Sequence, residues 1–229
     1  MIIQIYAFTR IEQAQEAAAL GVNHIGFIAG DYGLVFAELS YAQARLMAAS
    51  LPDQSHSVAL TMSTQVDEIL RMAEEVNPNI IHISTDPLDV GLRETEQLRL
   101  RLPKNIKLLK AIPVVDESSI DLAIEFAPLC DFLLLDSKVR GMPGVGATGR
   151  THDWTISNRI VQVVPIPVIL AGGLTAENAA QAIQAVHPAG VDSNTSTNIP
   201  GDPVEKDMAR IRRFVKAVQK VKNSTGSPT

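Results

Sequence analysis

The feature that most constrains this chain is a strict alternation, in which short β-branched runs are each followed by a longer stretch of helical period. Residues 2–5, 24–28, 57–61, 80–83, 106–112, 132–135, 168–171 and 190–192 read as eight strands. Residues 11–20, 40–50, 65–76, 88–102, 119–126, 154–163, 176–186 and 203–222 read as the helices that follow them. Strands separated by helices pair in parallel through right-handed crossovers. Eight such units in 229 residues average about 29 residues each, the size of a compact single-domain (β/α)8 TIM barrel. An open doubly wound sheet is the alternative, but no Gly-x-Gly-x-x-Gly turn follows the first strand, where a dinucleotide-binding sheet carries it. The barrel is expected to span residues 1–222, with 223–229, rich in Ser, Thr, Gly and Pro, as a disordered tail.

Helix starts carry their own signals. Thr9-x-x-Glu12, Ser40-x-x-Gln43, Thr64-x-x-Asp67 and Ser118-x-x-Asp121 each offer side-chain oxygens to free N-terminal amides, and Asp202-Pro203 reads as a cap with a first-turn proline. Val204, Met208, Ile211, Val215, Val218 and Val221 form an apolar stripe along the final helix.

Composition narrows the function classes. A net charge of −5 offers no basic field for a nucleic-acid backbone, and no apolar run approaches the roughly 20 residues of a membrane span. Met1 leads straight into a strand-like run without a signal-peptide pattern, so a cytoplasmic protein is expected. The single cysteine, Cys130, excludes an internal disulfide, and His24, His56, His82, His152 and His187 show no metal-ligand spacing. Neither a metal nor an organic cofactor is expected. The partner expected is a phosphorylated small molecule, with a homodimer as the one macromolecular association left open.

In such a barrel the chemistry sits at the C-terminal ends of the strands and in the loops after them. Asp136, ending the run Leu133-Leu134-Leu135, would put a carboxylate at the mouth, where partial burial raises its pKa toward acid catalysis; its alternative role is to cap the following loop. Tyr6 and His82 end strands one and four, and His82 can act as acid or base near neutral pH or simply be a hydrogen-bonded barrel histidine. Lys110, among the apolar residues toward the end of strand five, offers Schiff-base chemistry in principle and reads more often as an electrostatic or substrate-orienting group. For a phosphate, the glycine-rich 141–149 loop offers Gly146, Thr148 and Gly149, while Gly172 and Gly173 follow strand seven. Asp192, Asn194, Thr195 and Ser196 follow strand eight. A flexible lid and a polar turn are the structural alternatives for these loops.

Several blocks stand in one order: Phe8-Thr9-Arg10-Ile11-Glu12, Leu109-Lys110-Ala111-Ile112, Leu134-Leu135-Asp136-Ser137-Lys138, Thr148-Gly149-Arg150-Thr151-His152-Asp153-Trp154 and Pro167-Val-Ile-Leu-Ala-Gly-Gly-Leu-Thr-Ala-Glu-Asn178. In these the chain resembles the phosphoribosylanthranilate isomerase family from the first strand to the last helix. The resemblance implies an Amadori rearrangement in tryptophan biosynthesis, in which an acid opens an aminofuranose ring and a base removes the C2 proton. It implies that Asp136 is the acid. Departures lie in the reacting shell. Tyr6 stands where the family has a cysteine base, and a tyrosine of pKa near 10 is about a thousandth ionised at pH 7, a penalty of roughly 4 kcal/mol. The family's arginine after strand two has no counterpart in residues 29–38, and its Ser-Ser-Gly turn after strand eight reads Asn194-Thr195-Ser196. Two classes therefore stay open: an isomerase of phosphoribosylanthranilate or a related phosphorylated aminosugar, with Tyr6 or His82 as an unusual base, or a catalytically silent or repurposed paralogue that binds a phosphorylated metabolite.

Overall fold

The computed structural model describes residues 1–30, 32–138, 145 and 151–225, with side chains described as far as residue 221. Eight parallel strands close on themselves: β1 (Ile2–Ile5), β2 (His24–Ala29), β3 (His56–Thr61), β4 (Ile80–Ile83), β5 (Lys107–Pro113), β6 (Phe132–Asp136), β7 (Val168–Leu170) and β8 (Gly190–Ser193). Each pairs with its sequence neighbour, and β8 pairs back onto β1 with Gln4 opposite Asp192, which completes the (β/α)8 barrel. A two-residue stub, Glu38–Leu39, adds to β2 at the mouth.

The outer ring consists of α1 (Ile11–Ala19), α2 (Tyr41–Ala49), α3 (Val66–Val76), α4 (Leu92–Arg101), α5 (Ser118–Phe126), α6 (Trp154–Val163), α7 (Ala179–Val186) and α8 (Met208–Thr225). Both faces of every strand are covered, as a parallel sheet requires. Ile3, Ile25, Ile81, Leu108, Leu133, Leu170 and Val191 pack outward against the helices, while Val58, Ile80, Leu109, Leu134 and Ile169 fill the barrel. Each such side chain, fully buried, contributes about 1.5–3 kcal/mol. No helix among the described residues is long and apolar enough to cross a membrane.

The helix starts correct the sequence reading at several points. Only Ser40 forms the expected box, its hydroxyl accepting from the Gln43 amide while Gln43 accepts from the Ser40 amide. The cap of α1 is Arg10, with no side-chain bond, so Thr9 does not serve there. Ser63 Oγ, not Thr64, accepts from the Gln65 amide ahead of α3. Asp116 accepts from Ser118 before α5. Helix α4 begins at Leu92 rather than near 88, where Glu94 reaches back to the Gly91 amide. The last helix begins at Met208, capped by Asp207, because Asp202 closes an earlier turn by accepting from Val204 and Glu205. That five-residue delay carries Lys206 off the helix and under the barrel mouth. The expected tail begins inside α8 at residues 223–225, and 226–229 lie outside the described residues.

Candidate active site

Alternation along β1 points Gln4 and Tyr6 into the barrel, while Ile3 and Ile5 face the helices. The same parity sends His82, Asp136 and Asp192 inward. Gln4 Nε2 donates to Asp192 Oδ1 at 3.1 Å, which leaves Gln4 Oε1 as an acceptor 3.1 Å from His24 Nδ1. That nitrogen must then carry the proton, so His24 donates to Gln4 and Gln4 to Asp192. Burial, with His56 nearby, holds the His24 imidazole down at about 3 and therefore neutral. The chain of donors fixes the Asp192 carboxylate from below.

Above it opens a cavity of about 140 Å³. One wall is polar: Tyr6, His82, Ser84, Asp136, Asp192 and Asn194. The other is formed by Ile28, Val35, Leu60 and Met62. The Tyr6 hydroxyl lies 2.9 Å from His82 Nδ1, and His82 Nε2 is buried with no partner. Tyr6 fits only because β2 has a glycine beside it: a Cβ on Gly26 would stand 2.4 Å from two carbons of the Tyr6 ring.

Charge in this site is set by desolvation. Burial raises the Asp136 carboxyl to about 7, against the amide and hydroxyl of Ser137, which favour the ionised form. Asp192 rises to about 8, first through burial and then through Asp136, opposed by Gln4 and Lys206. Two carboxyls over one cavity thus titrate near neutrality as a coupled pair holding about one proton between them. Tyr6 is pushed well above 10 by burial and by Asp192. His82 is pulled down to about 3 by burial and by Lys110. Neither is a ready proton acceptor at pH 7.

Lys206 was not legible in the sequence as a site residue. It is 3% exposed, and its Nζ donates to the Tyr6 carbonyl, to Asn198 Oδ1 at 2.5 Å and to Asn194 Oδ1 at 3.2 Å. Burial lowers its pKa to about 7, opposed by Asp192. It ties the end of β1 to the loop after β8.

In the loop after β7, next to the loop after β8, Gly172 and Gly173 turn with φ of 85° and 61°, a left-handed region suited to glycine. Ser193 and Ser196 hydroxyls both donate to the Leu174 carbonyl, at 2.9 and 2.7 Å, so they brace this turn. The amides of Gly172, Gly173, Thr195 and Ser196 have no acceptor among the described residues. Arg210 Nη1 lies 3.4 Å from the Ser196 carbonyl and brings a cation to the same place. Gly146, Thr148 and Gly149 lie outside the described residues.

Lys110 is a correction. It shares parity with Leu108 and Ile112, so it leaves the barrel on the helix side, where Nζ donates to the Thr85 carbonyl at 2.7 Å and lies 5.6 Å from the Phe126 ring centroid. It cannot touch a ligand in the cavity. Burial lowers it to about 7. Cys130 is buried just before β6, with its thiol pushed up to about 12 by burial. Among the described residues no group of three or more His, Cys, Asp or Glu could hold a metal ion.

Comparison with known proteins matches residues 3–217 to the family described as N-(5'-phosphoribosyl)anthranilate isomerase. Relatives of that name include one from Methanocella arvoryzae, 30% identical over 222 residues, covering 96% of this chain and 99% of the relative. Another, from Haloferax volcanii, is 34% identical over 186 residues, covering 80% and 76%. Among solved structures, monomers generated from the dimeric phosphoribosylanthranilate isomerase of Thermotoga maritima superpose with TM-score 0.74 at 23% identity, covering 96% of this chain and all of that one.

Proposed function

The chain belongs to the N-(5'-phosphoribosyl)anthranilate isomerase family, and on that premise we propose that it is an Amadori isomerase acting on phosphoribosylanthranilate or a related N-substituted phosphoribosylamine. The observation that carries this reading is the pair of buried carboxyls, Asp136 and Asp192, titrating near 7 and 8 over one cavity. Such a pair supplies an acid and a base at once. In the working state Asp136 holds the proton and Asp192 is the carboxylate nearer Lys206. Asp136 protonates the furanose ring oxygen while the nitrogen lone pair forms C1=N and the C1–O bond breaks. Asp192 then takes the C2 proton, giving an enol-amine that ketonises when a proton returns to C1. Tyr6 and His82 act as a hydrogen-bonded positioning pair, with His82 Nε2 turned to a sugar hydroxyl, instead of serving as the base.

The phosphate is read onto the unsatisfied amides of Gly172, Gly173, Thr195 and Ser196, with Arg210 beside them. Asn194 completes that end of the site, and Gly146, Thr148 and Gly149, outside the described residues, are proposed as phosphate-binding residues on the sequence alone. We also propose that residues 1–222 act as a single barrel domain in a cytoplasmic enzyme that forms a homodimer, a state supported by the dimeric Thermotoga maritima relative and tested by sedimentation velocity. The match over residues 3–217 favours the isomerase over a silent paralogue. Its test is direct: purified protein should convert phosphoribosylanthranilate, generated from anthranilate and ribose 5-phosphate, or its uncarboxylated analogue made from aniline. Asp136→Asn should lower kcat at least 100-fold. Turnover of neither compound, or an undiminished Asp136→Asn, overturns the reading.

A further inference from the structure

Four polar side chains on adjacent strands stand in one row. Asp192 on β8 is in register with Gln4 on β1, Gln4 with His24 on β2, and His24 with His56 on β3. His56 is the exposed first residue of β3, so the row descends from the cavity to the N-terminal end of the barrel. Around it the interior is apolar, filled by Val58, Ile80, Leu109, Leu134 and Ile169, the kind of residue such a core ordinarily takes. Gln4 and His24 are buried among them, a placement that costs stability unless their polar atoms are paired. That pairing links the state of His24 to the state of Asp192. Gln4 Oε1 lies 3.1 Å from His24 Nδ1 and Gln4 Nε2 lies 3.1 Å from Asp192 Oδ1. A His24 that donates from Nδ1 turns the amide NH2 toward Asp192, where it meets a carboxylate. The flipped amide would aim its carbonyl there instead, which suits only the protonated acid.

We propose that Gln4, oriented by His24, is a positioning residue for the proton transfer, holding Asp192 ionised with one oxygen engaged and the other free toward C2 of the substrate. The proposal rests on the isomerase reading and deepens it. When the free oxygen takes the C2 proton, the C2–H electron pair becomes the C1=C2 bond and a C1=N pair returns to nitrogen, so Gln4 neither gains nor loses a proton. Asp192 shares its surroundings with Asp136 from β6, Tyr6 from β1, His82 from β4 and Lys206 ahead of α8. Of these Asp136 works against its ionisation, while Lys206 acts in the same direction as Gln4. His56 faces His24 with ring centroids 5.6 Å apart. Burial and His56 hold the His24 imidazole down at about 3, so it stays a neutral, fixed donor throughout the range in which the carboxyl pair titrates.

The test uses the full chain and two readouts. Carbon-13 NMR of aspartate-labelled protein, with the Asp192 signal assigned by its loss in Asp192→Asn, follows the carboxyl pair directly, and kinetics with phosphoribosylanthranilate or its aniline analogue follow the reaction. Gln4→Met keeps the length and removes the donor, and it should raise the higher midpoint of the pair by about one pH unit, the contribution of a hydrogen bond to a charged group. It should lower kcat about tenfold and leave KM within about threefold, because Asp192 is ionised that much less often while Asp136 holds the proton. His24→Leu should act in the same direction and carries the test if Gln4→Met folds poorly. His24→Asn, whose amide nitrogen takes the place of Nδ1, should bring both readouts back toward native. A folded variant that leaves the higher midpoint in place, or moves it without lowering kcat, overturns the inference and leaves the isomerase standing. So does a His24→Asn that behaves as His24→Leu. A native protein that turns over neither compound overturns the isomerase reading and the inference with it.

Discussion

Asp192→Asn should make the protein more stable and nearly inactive. The carboxyl rises from 3.8 to about 8 on folding, chiefly by burial. A carboxyl whose pKa is raised binds more protons folded than unfolded between those values, so native stability falls as pH climbs through that window and the full penalty applies above pH 8. Roughly four units at 1.4 kcal/mol each set a ceiling of about 6 kcal/mol at pH 9 and about 4 kcal/mol at pH 7. Asparagine avoids that penalty and can still accept from Gln4, but its amide introduces a donor needing a partner and deprives Lys206 of its anion, worth about 1–3 kcal/mol. The net gain is therefore at most about 3–5 kcal/mol at pH 9, shrinking toward zero or below by pH 4. Urea unfolding at pH 4, 7 and 9 measures it, and kcat/KM should fall 100-fold or more because the base is gone. A variant less stable than the native protein at pH 9 would refute the burial account, and one within threefold of native activity would refute the catalytic role.

Tyr6→Phe removes only the hydroxyl 2.9 Å from His82 Nδ1; unfolding free energy should drop by about 1–3 kcal/mol, and kcat/KM by less than tenfold with an unmoved pH optimum, whereas a 100-fold loss would make Tyr6 the base. Lys110→Met should keep kcat/KM within threefold, because Lys110 lies outside the barrel. Its pKa is lowered to about 7 on folding, so the native protein gains stability from pH 7 to about 10.5, and the variant's relative advantage should be greatest below pH 7, after a loss of about 1 kcal/mol for the Thr85 bond. A pH-rate profile for the native enzyme should be bell-shaped with its maximum near 7.5, between the two carboxyl values; a flat profile from pH 6 to 9 would argue against the pair.

The fold was legible because period and order are local. Every strand was placed within two residues of its observed bounds, and eight strand–helix units have one compact way to close. Asp136 was legible for the same reason, as a charge ending an apolar run. Lys110 looks alike in sequence and turned out the opposite way. In a parallel strand buried on both faces, Leu108, Leu109, Ala111 and Ile112 are all apolar, so hydropathy does not say which parity faces inward. Only closure of the barrel, with Ile83 opposite Lys110 and Pro113 opposite Asp136, sets it. Lys206 and the donor chain from His24 through Gln4 to Asp192 were beyond reach of any local pattern, since their partners stand up to 200 residues apart. The sequence by itself determined the scaffold and the place of Asp136 at the end of its strand, and comparison with the family it resembles showed Tyr6 and the arginine-free 29–38 stretch as departures, all properties of single positions. The tertiary structure decided which charges share the cavity and which are desolvated, because burial and Coulomb coupling depend on neighbours brought together only when the first strand meets the eighth.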